Sequence, residues 1–180
     1  NTAVTPTAAS GSSAVHGIRS SAVAAALTIT NNLVHGIQVS GTATAYNGIT
    51  NSGAVTGTIN LNNNQLGNID AGAVRFMFNN TGVVTGISNT GATATTTVNL
   101  NNNSIEGILA VSLTSNLTGI LSSANAGVAI NINNNNLGSA SADFNTYSAA
   151  TSNTIFGFFN SGGVAASTVI SISNNNIRGI

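Results

Sequence analysis

The stretch Val98-Asn-Leu-Asn-Asn-Asn-Ser-Ile-Glu-Gly-Ile108 decides how this chain folds. Val98 and Leu100 alternate with Asn99 and Asn101, the period of two that sends apolar side chains to one face of a β-strand. Four further segments align with it without internal gaps: Leu27-Thr-Ile-Thr-Asn-Asn-Leu-Val-His-Gly-Ile37, Ile59-Asn-Leu-Asn-Asn-Asn-Gln-Leu-Gly-Asn-Ile69, Ile130-Asn-Ile-Asn-Asn-Asn-Asn-Leu-Gly-Ser-Ala140 and Ile170-Ser-Ile-Ser-Asn-Asn-Asn-Ile-Arg-Gly-Ile180. Their ends lie 32, 39, 32 and 40 residues apart, a spacing that marks a solenoid.

A shorter signature sits between the copies: Gly17-Ile18, Gly48-Ile49, Gly86-Ile87, Gly119-Ile120 and Gly157-Phe158. Three of these continue into Asn-Ser/Thr-Gly, at Asn51-Ser52-Gly53, Asn89-Thr90-Gly91 and Asn160-Ser161-Gly162. Short and long units alternate, so the chain reads as one β-solenoid domain over 1–180, with units 1–37, 38–69, 70–108, 109–140 and 141–180. It starts and stops in register. It begins at Asn1 with neither an initiator Met nor a signal peptide, so it reads as a processed or excerpted segment.

Helix is a poor reading, because Gly, Asn, Ser, Thr and Val are weak helix formers and no capped amphipathic stripe is present. Strands this short need neighbours. A parallel β-helix supplies them from the next coil, about 4.8 Å away, so each column along the axis repeats one residue type. The expected class is therefore all-β: a single-stack parallel β-helix of about five coils with asparagine ladders at the corners. The usual crossover rule makes it right-handed. One ladder comprises Asn31, Asn63, Asn102, Asn134 and Asn174, and the next Asn32, Asn64, Asn103, Asn135 and Asn175. Asparagine tolerates the left-handed backbone of a sharp corner, and its amide both donates and accepts. The apolar stack is expected in two columns: Ile29, Leu61, Leu100, Ile132 and Ile172, then Ile37, Ile69, Ile108 and Ile180.

A 32-residue coil suits three short strands, and the longer coils are expected to carry protruding loops over 70–84 and 141–155. Most of the aromatics fall in or beside these loops. They read first as a satellite core, with Phe76 and Tyr147 the candidates for a surface that stacks on sugar.

The I-x-I/L-x-N-N-N-x-I-x-G-I pattern resembles the Asn-rich right-handed parallel β-helix repeats of large bacterial secreted and cell-surface proteins. The resemblance spans essentially the whole chain. It implies the fold and an extracellular or cell-surface location, but no single function, since adhesins, passenger domains, fibres and polysaccharide lyases all use such repeats.

Composition removes most chemistry. Only 3% of the 180 residues are charged: Arg19, Arg75, Arg178, Asp70, Glu106 and Asp143, for a net charge of zero. No basic patch exists for nucleic acid, and no apolar run is long enough for a membrane-spanning helix. Glycoside hydrolysis needs two carboxylates facing one bond, and the three present fall at different repeat positions. His16 and His35 recur with no second pair of metal ligands, so neither metal nor cofactor is expected, nor an enzyme. The column of His35, Gly67, Glu106, Gly138 and Arg178 reads as solvent-facing. Thr42-Ala-Thr44 and Thr93-Ala-Thr95 fall in different columns and form no ice-binding array.

What remains is a structural or adhesive role. No polar capping repeat is present at either end, and zero net charge removes the repulsion that keeps chains apart. The expected partner is the chain itself, stacking head to tail into an extracellular fibre. The alternative is a surface adhesin that binds glycans or other cells.

Overall fold

The computed structural model describes residues 14–67, 74–163 and 166–180. Among them there is no helix. The first coil carries β1 (Ala14–Ser20), β2 (Leu27–Thr30), β3 (Leu33–Val34) and β4 (Ile37–Val39). The second carries β5 (Ala45–Asn51), β6 (Thr58–Asn62), β7 (Gln65–Leu66) and β8 (Val74–Phe76). The third carries β9 (Val84–Asn89), β10 (Thr97–Asn99), β11 (Ser104–Ile105) and β12 (Ile108–Ala110). The fourth carries β13 (Leu117–Ser122), β14 (Ala129–Asn133), β15 (Asn136–Leu137) and β16 (Asn145–Tyr147), and the fifth β17 (Ile155–Asn160), β18 (Val169–Ser173) and β19 (Asn176–Ile177).

Each strand pairs, always in parallel, with the strand of the same rank in the next coil. Four sheets result: β1-β5-β9-β13-β17, β2-β6-β10-β14-β18, β3-β7-β11-β15-β19 and β4-β8-β12-β16. The architecture is a parallel β-helix. Four strands in each of the first four coils replace the expected three, because the residues after each Asn run form a two-residue strand between two corners.

Both corners use left-handed backbone. Asn31, Asn63, Asn102, Asn134 and Asn174 all have φ between 54° and 59°, which turns the chain from the second sheet into the third. Gly36, Gly67, Gly107, Gly138 and Gly179, at φ between 64° and 85°, make the next corner. Gly67 and Gly138 stand one position earlier in their copies of the repeat than the other three glycines.

That early corner corrects one of the two apolar columns. Ile37 pairs with Val74, and Val74 with Ile108, which is followed by Asn145. The extra residues of the long coils enter between Gly67 and Val74 and between Gly138 and Asn145, so the column slips off the gap-free alignment. Ile69 lies outside the described residues, Ala140 is exposed, and Ile180 lies at the exposed end. The other column keeps its register, with Ile29 on Leu61 and Ile132 on Ile172. Leu61, Leu100 and Ile132 are fully buried.

The four sheets enclose one continuous core. Ile49, Ile87 and Ile120 reach it from the first sheet, Ile59, Val98 and Ile130 from the second, and Leu66, Ile105 and Leu137 from the third. A fully buried side chain of this size stabilises by about 1.5–3 kcal/mol before entropy is subtracted. The Gly-Ile signature is explained by this packing. A methyl group on Gly86 would meet both the Gly119 carbonyl oxygen and Ile105 Cδ1 at 2.6 Å. Phe156 and Phe159 have ring centroids 5.0 Å apart.

Candidate functional site

The second asparagine of each run builds a directional hydrogen-bond ladder along the axis. Asn32 Nδ2 donates to Asn64 Oδ1 at 3.0 Å, Asn64 Nδ2 to Asn103 Oδ1 at 3.2 Å, Asn103 Nδ2 to Asn135 Oδ1 at 3.1 Å and Asn135 Nδ2 to Asn175 Oδ1 at 3.0 Å. The sequence separations are 32, 39, 32 and 40 residues. Each Oδ1 also accepts the backbone N–H of the asparagine one coil earlier, at 2.8 to 3.1 Å. The second amide hydrogen goes to a main-chain carbonyl of the preceding coil: Asn64 Nδ2 to Ile29, Asn103 to Leu61, Asn135 to Leu100 and Asn175 to Ile132, at 2.7 to 2.9 Å. An interior amide is thus saturated. Asn64, Asn103 and Asn135 are at most 1% exposed, and only a saturated amide is stable at such depth.

Every rung points the same way. Donors face the C-terminal coil and acceptors the N-terminal coil, so the ladder begins and ends on different groups. Among the described residues Asn32 Oδ1 accepts no hydrogen bond, and the Asn175 N–H and one Nδ2 hydrogen find no acceptor.

Three further asparagine columns lie outside the expected set. In one of them, on the outer side of the second sheet, the Asn101 N–H donates to Asn62 Oδ1 and the Asn133 N–H to Asn101 Oδ1, both at 2.8 Å. Asn99 Nδ2 donates to Asn60 Oδ1 at 2.9 Å, and Asn131 Nδ2 to Asn99 Oδ1 at 2.8 Å, on the outer side of the second sheet. Inside, at the end of the first sheet, Asn51 Nδ2 donates to Asn89 Oδ1 at 2.9 Å and to the Gly91 carbonyl at 2.8 Å. The column continues through Ser122 to Asn160. A serine side chain is shorter than an asparagine, and among the described residues Asn89 Nδ2, Ser122 Oγ and Asn160 Oδ1 are buried without a partner. The signal was the shared asparagine of the Asn-Ser/Thr-Gly signature.

The two ends of the stack differ from its middle. Ile170 and Ile172 are each 48% exposed, Ile177 is 42%, and Val169 62%. At the opposite end Ile29 is 9% exposed and Leu27 and Val34 are half-buried, while the exposed Leu33 stands on the outer side of the third sheet, in the column of Gln65 and Asn136, which are exposed as well.

The aromatics belong mainly to the core. Phe76 is 2% exposed and meets Tyr46 edge to face, with centroids 6.3 Å apart, so it is no sugar-stacking surface. Phe144 is fully buried. Tyr147 is half-buried, and its hydroxyl accepts from Asn153 Nδ2 at 2.8 Å. Burial pushes the Tyr147 phenol up, partly offset by that hydrogen bond. Tyr46 is also pushed up by burial, and its hydroxyl has no partner among the described residues.

Titratable groups stay scattered. Asp70 lies outside the described residues. Glu106 is 7% exposed, which corrects the solvent-facing reading of its column in the middle of the stack. Partial burial, and then the neighbouring Arg19 guanidinium, hold His16 below its ordinary value. No group of three or more His, Asp or Glu gathers among the described residues. Thr44 is fully buried, so the first Thr-Ala-Thr does not present a surface pair. A shallow hollow of about 300 Å³ on the outer side of the fourth sheet is lined by Arg75, Met77, Leu109, Val111, Thr146 and Ser148. No helix among the described residues is long and apolar enough to cross a membrane.

Comparison of the chain with protein-family models, with curated proteins and with solved structures finds no match.

Proposed function

We propose that this chain is a structural subunit or segment of an extracellular fibre, in which each terminal coil is covered by a further coil of the same kind. The observation that carries the reading is the open row of Ile170, Ile172 and Ile177. These residues repeat the pattern of the buried core, and a soluble solenoid ordinarily covers such a row with a polar capping repeat. A parallel strand edge left bare alongside it adds unpaired backbone groups that template another strand. Zero net charge leaves no long-range repulsion to prevent that contact.

The extracellular setting rests on the resemblance to bacterial cell-surface β-helix repeats and on composition. A chain with no cysteine, one methionine and six charged side chains offers little to oxidise, reduce or titrate, as suits a durable external material. A structural role also asks nothing of the scattered carboxylates.

Negative-stain electron microscopy of the purified chain tests the reading, together with its mass after denaturation. Unbranched filaments that dissolve to 17.8 kDa are expected for this chain. A monodisperse monomer at every concentration contradicts a fibre-forming role. For material taken from its natural source, a band near that mass identifies a non-covalent polymer, and a very large band one long repetitive polypeptide.

A further inference from the structure

We propose that the last coil of one copy docks on the first coil of a second copy in a single polarity, with the asparagine ladder running unbroken across the junction. The proposal rests on the fibre reading and adds to it the partner, the register and the direction. It follows from the one-way ladder. Within the chain, the backbone N–H and Nδ2 of each ladder asparagine donate to Oδ1 of the asparagine one coil later. At the C-terminal end Asn175 keeps its Nδ2 bond to the Ile132 carbonyl, and by the pattern of Asn64, Asn103 and Asn135 its backbone N–H and other Nδ2 hydrogen are the groups that would donate to a next Oδ1. At the N-terminal end Asn32 donates to Asn64 and to the Thr30 carbonyl, and its Oδ1 is the group an earlier coil would donate to.

Donors therefore meet an acceptor only when the C-terminal coil of one copy faces the N-terminal coil of another. Two C-terminal coils would set donors against donors, and two N-terminal coils acceptor against acceptor. Such a heterologous contact does not close and gives a polar filament. The same register places Asn176 of one copy beside Leu33 of the next, continuing the column Leu33, Gln65, Ser104, Asn136 and Asn176. It also lays the open Ile177 against Val34, whose column already holds Leu66, Ile105 and Leu137.

Disulfide trapping tests this in a chain that has no cysteine of its own. Adjacent coils stand about 4.8 Å apart, within the Cα separation of about 4.4–6.8 Å that a disulfide spans. Leu33 and Asn176 are both exposed, so a cysteine at either leaves the core intact. Under mild oxidation, a mixture of Leu33→Cys and Asn176→Cys chains is expected to form cross-linked pairs, and either variant alone is not. Self-linked Asn176→Cys pairs in preference to mixed ones would overturn the polarity. Filaments with no mixed cross-link would overturn the register and leave the fibre reading standing. A monomer in every mixture, with no filament, would overturn both.

Asn175→Asp gives a second readout. The carboxylate still accepts from Asn135 but can donate neither to the partner's Oδ1 nor, within the chain, to the Ile132 carbonyl, so the unfolding stability of the monomer is measured alongside to separate the two losses. Association measured by sedimentation is expected to weaken about tenfold or more, since an intermolecular hydrogen bond is replaced by repulsion. Unchanged association would contradict the ladder's part in the junction.

Discussion

The fourth and fifth coils carry the same pattern of inward apolar residues and live in opposite environments. Ile130, Ile132 and Leu137 are fully buried, whereas Ile170, Ile172 and Ile177, stacked on them in register, are 42 to 48% exposed. Nothing in the local pattern separates them. In a globular domain a strand buries its apolar face against some other element of the same core. Here each coil is buried by the coils before and after it, so the last one has half a core. The unit of stability is the contact between coils, and the sequence of a coil specifies that contact on both sides even where only one is occupied.

Truncation offers the largest break in this comparison. Ile132→Ala is expected to lower unfolding stability by about 2–5 kcal/mol, as for buried aliphatic residues in general. Ile172→Ala, half-exposed in the isolated chain, should lower it by about 1 kcal/mol. Urea denaturation of both variants measures the difference, and equal losses would mean that the fifth coil is already covered. The same experiment on assembled material should bring the Ile172→Ala loss up toward that of Ile132→Ala.

A smaller effect sharpens the contrast from the interior side. The Tyr46 hydroxyl is buried without a partner among the described residues, so Tyr46→Phe is expected to raise stability by about 1 kcal/mol. It should also change the alkaline limb of the stability profile. Because burial raises the phenol's pKa, the unfolded chain gives up this proton near pH 10 while the folded chain keeps it. Stability is therefore complete below that pH and lost as pH rises through it, and Tyr46→Phe removes that share of the loss. A variant as sensitive to alkali as the parent would show that Tyr46 does not contribute.

The inner ladder provides the smallest test. Ser122→Asn places an amide between Asn89 and Asn160, and each new hydrogen bond should add about 1 kcal/mol. A lower melting temperature would show that the column has no room for it.

Much of this was legible in the sequence, for a physical reason. In a stack, identical residues touch along the axis, so the repeat is itself a contact map. Asn63, Asn102 and Asn134 share a column and a left-handed φ because the corner demands that backbone and only asparagine or glycine supplies it without strain. That Ile37 stacks on Val74 was not legible. A gap-free alignment counts residues, whereas the chain turns where its glycine stands, and Gly67 and Gly138 turn it one residue early. The number of strands per coil was hidden as well, since β3 and its partners are two residues long and leave no periodicity. The burial of Phe76 depends on Tyr46 from another part of the same winding, a contact that no repeat spacing encodes.

The central claim is that windings lie one above another on a single axis and continue from chain to chain. Mass per unit length of the filaments, by scanning transmission electron microscopy, tests it most directly. Five coils at about 4.8 Å each rise about 24 Å. The expected value is therefore one chain of 17.8 kDa per repeat of that length. A mass per length of twice this or more, or one that varies between filaments, would mean that the chains associate side by side and that the open coil is not where they join.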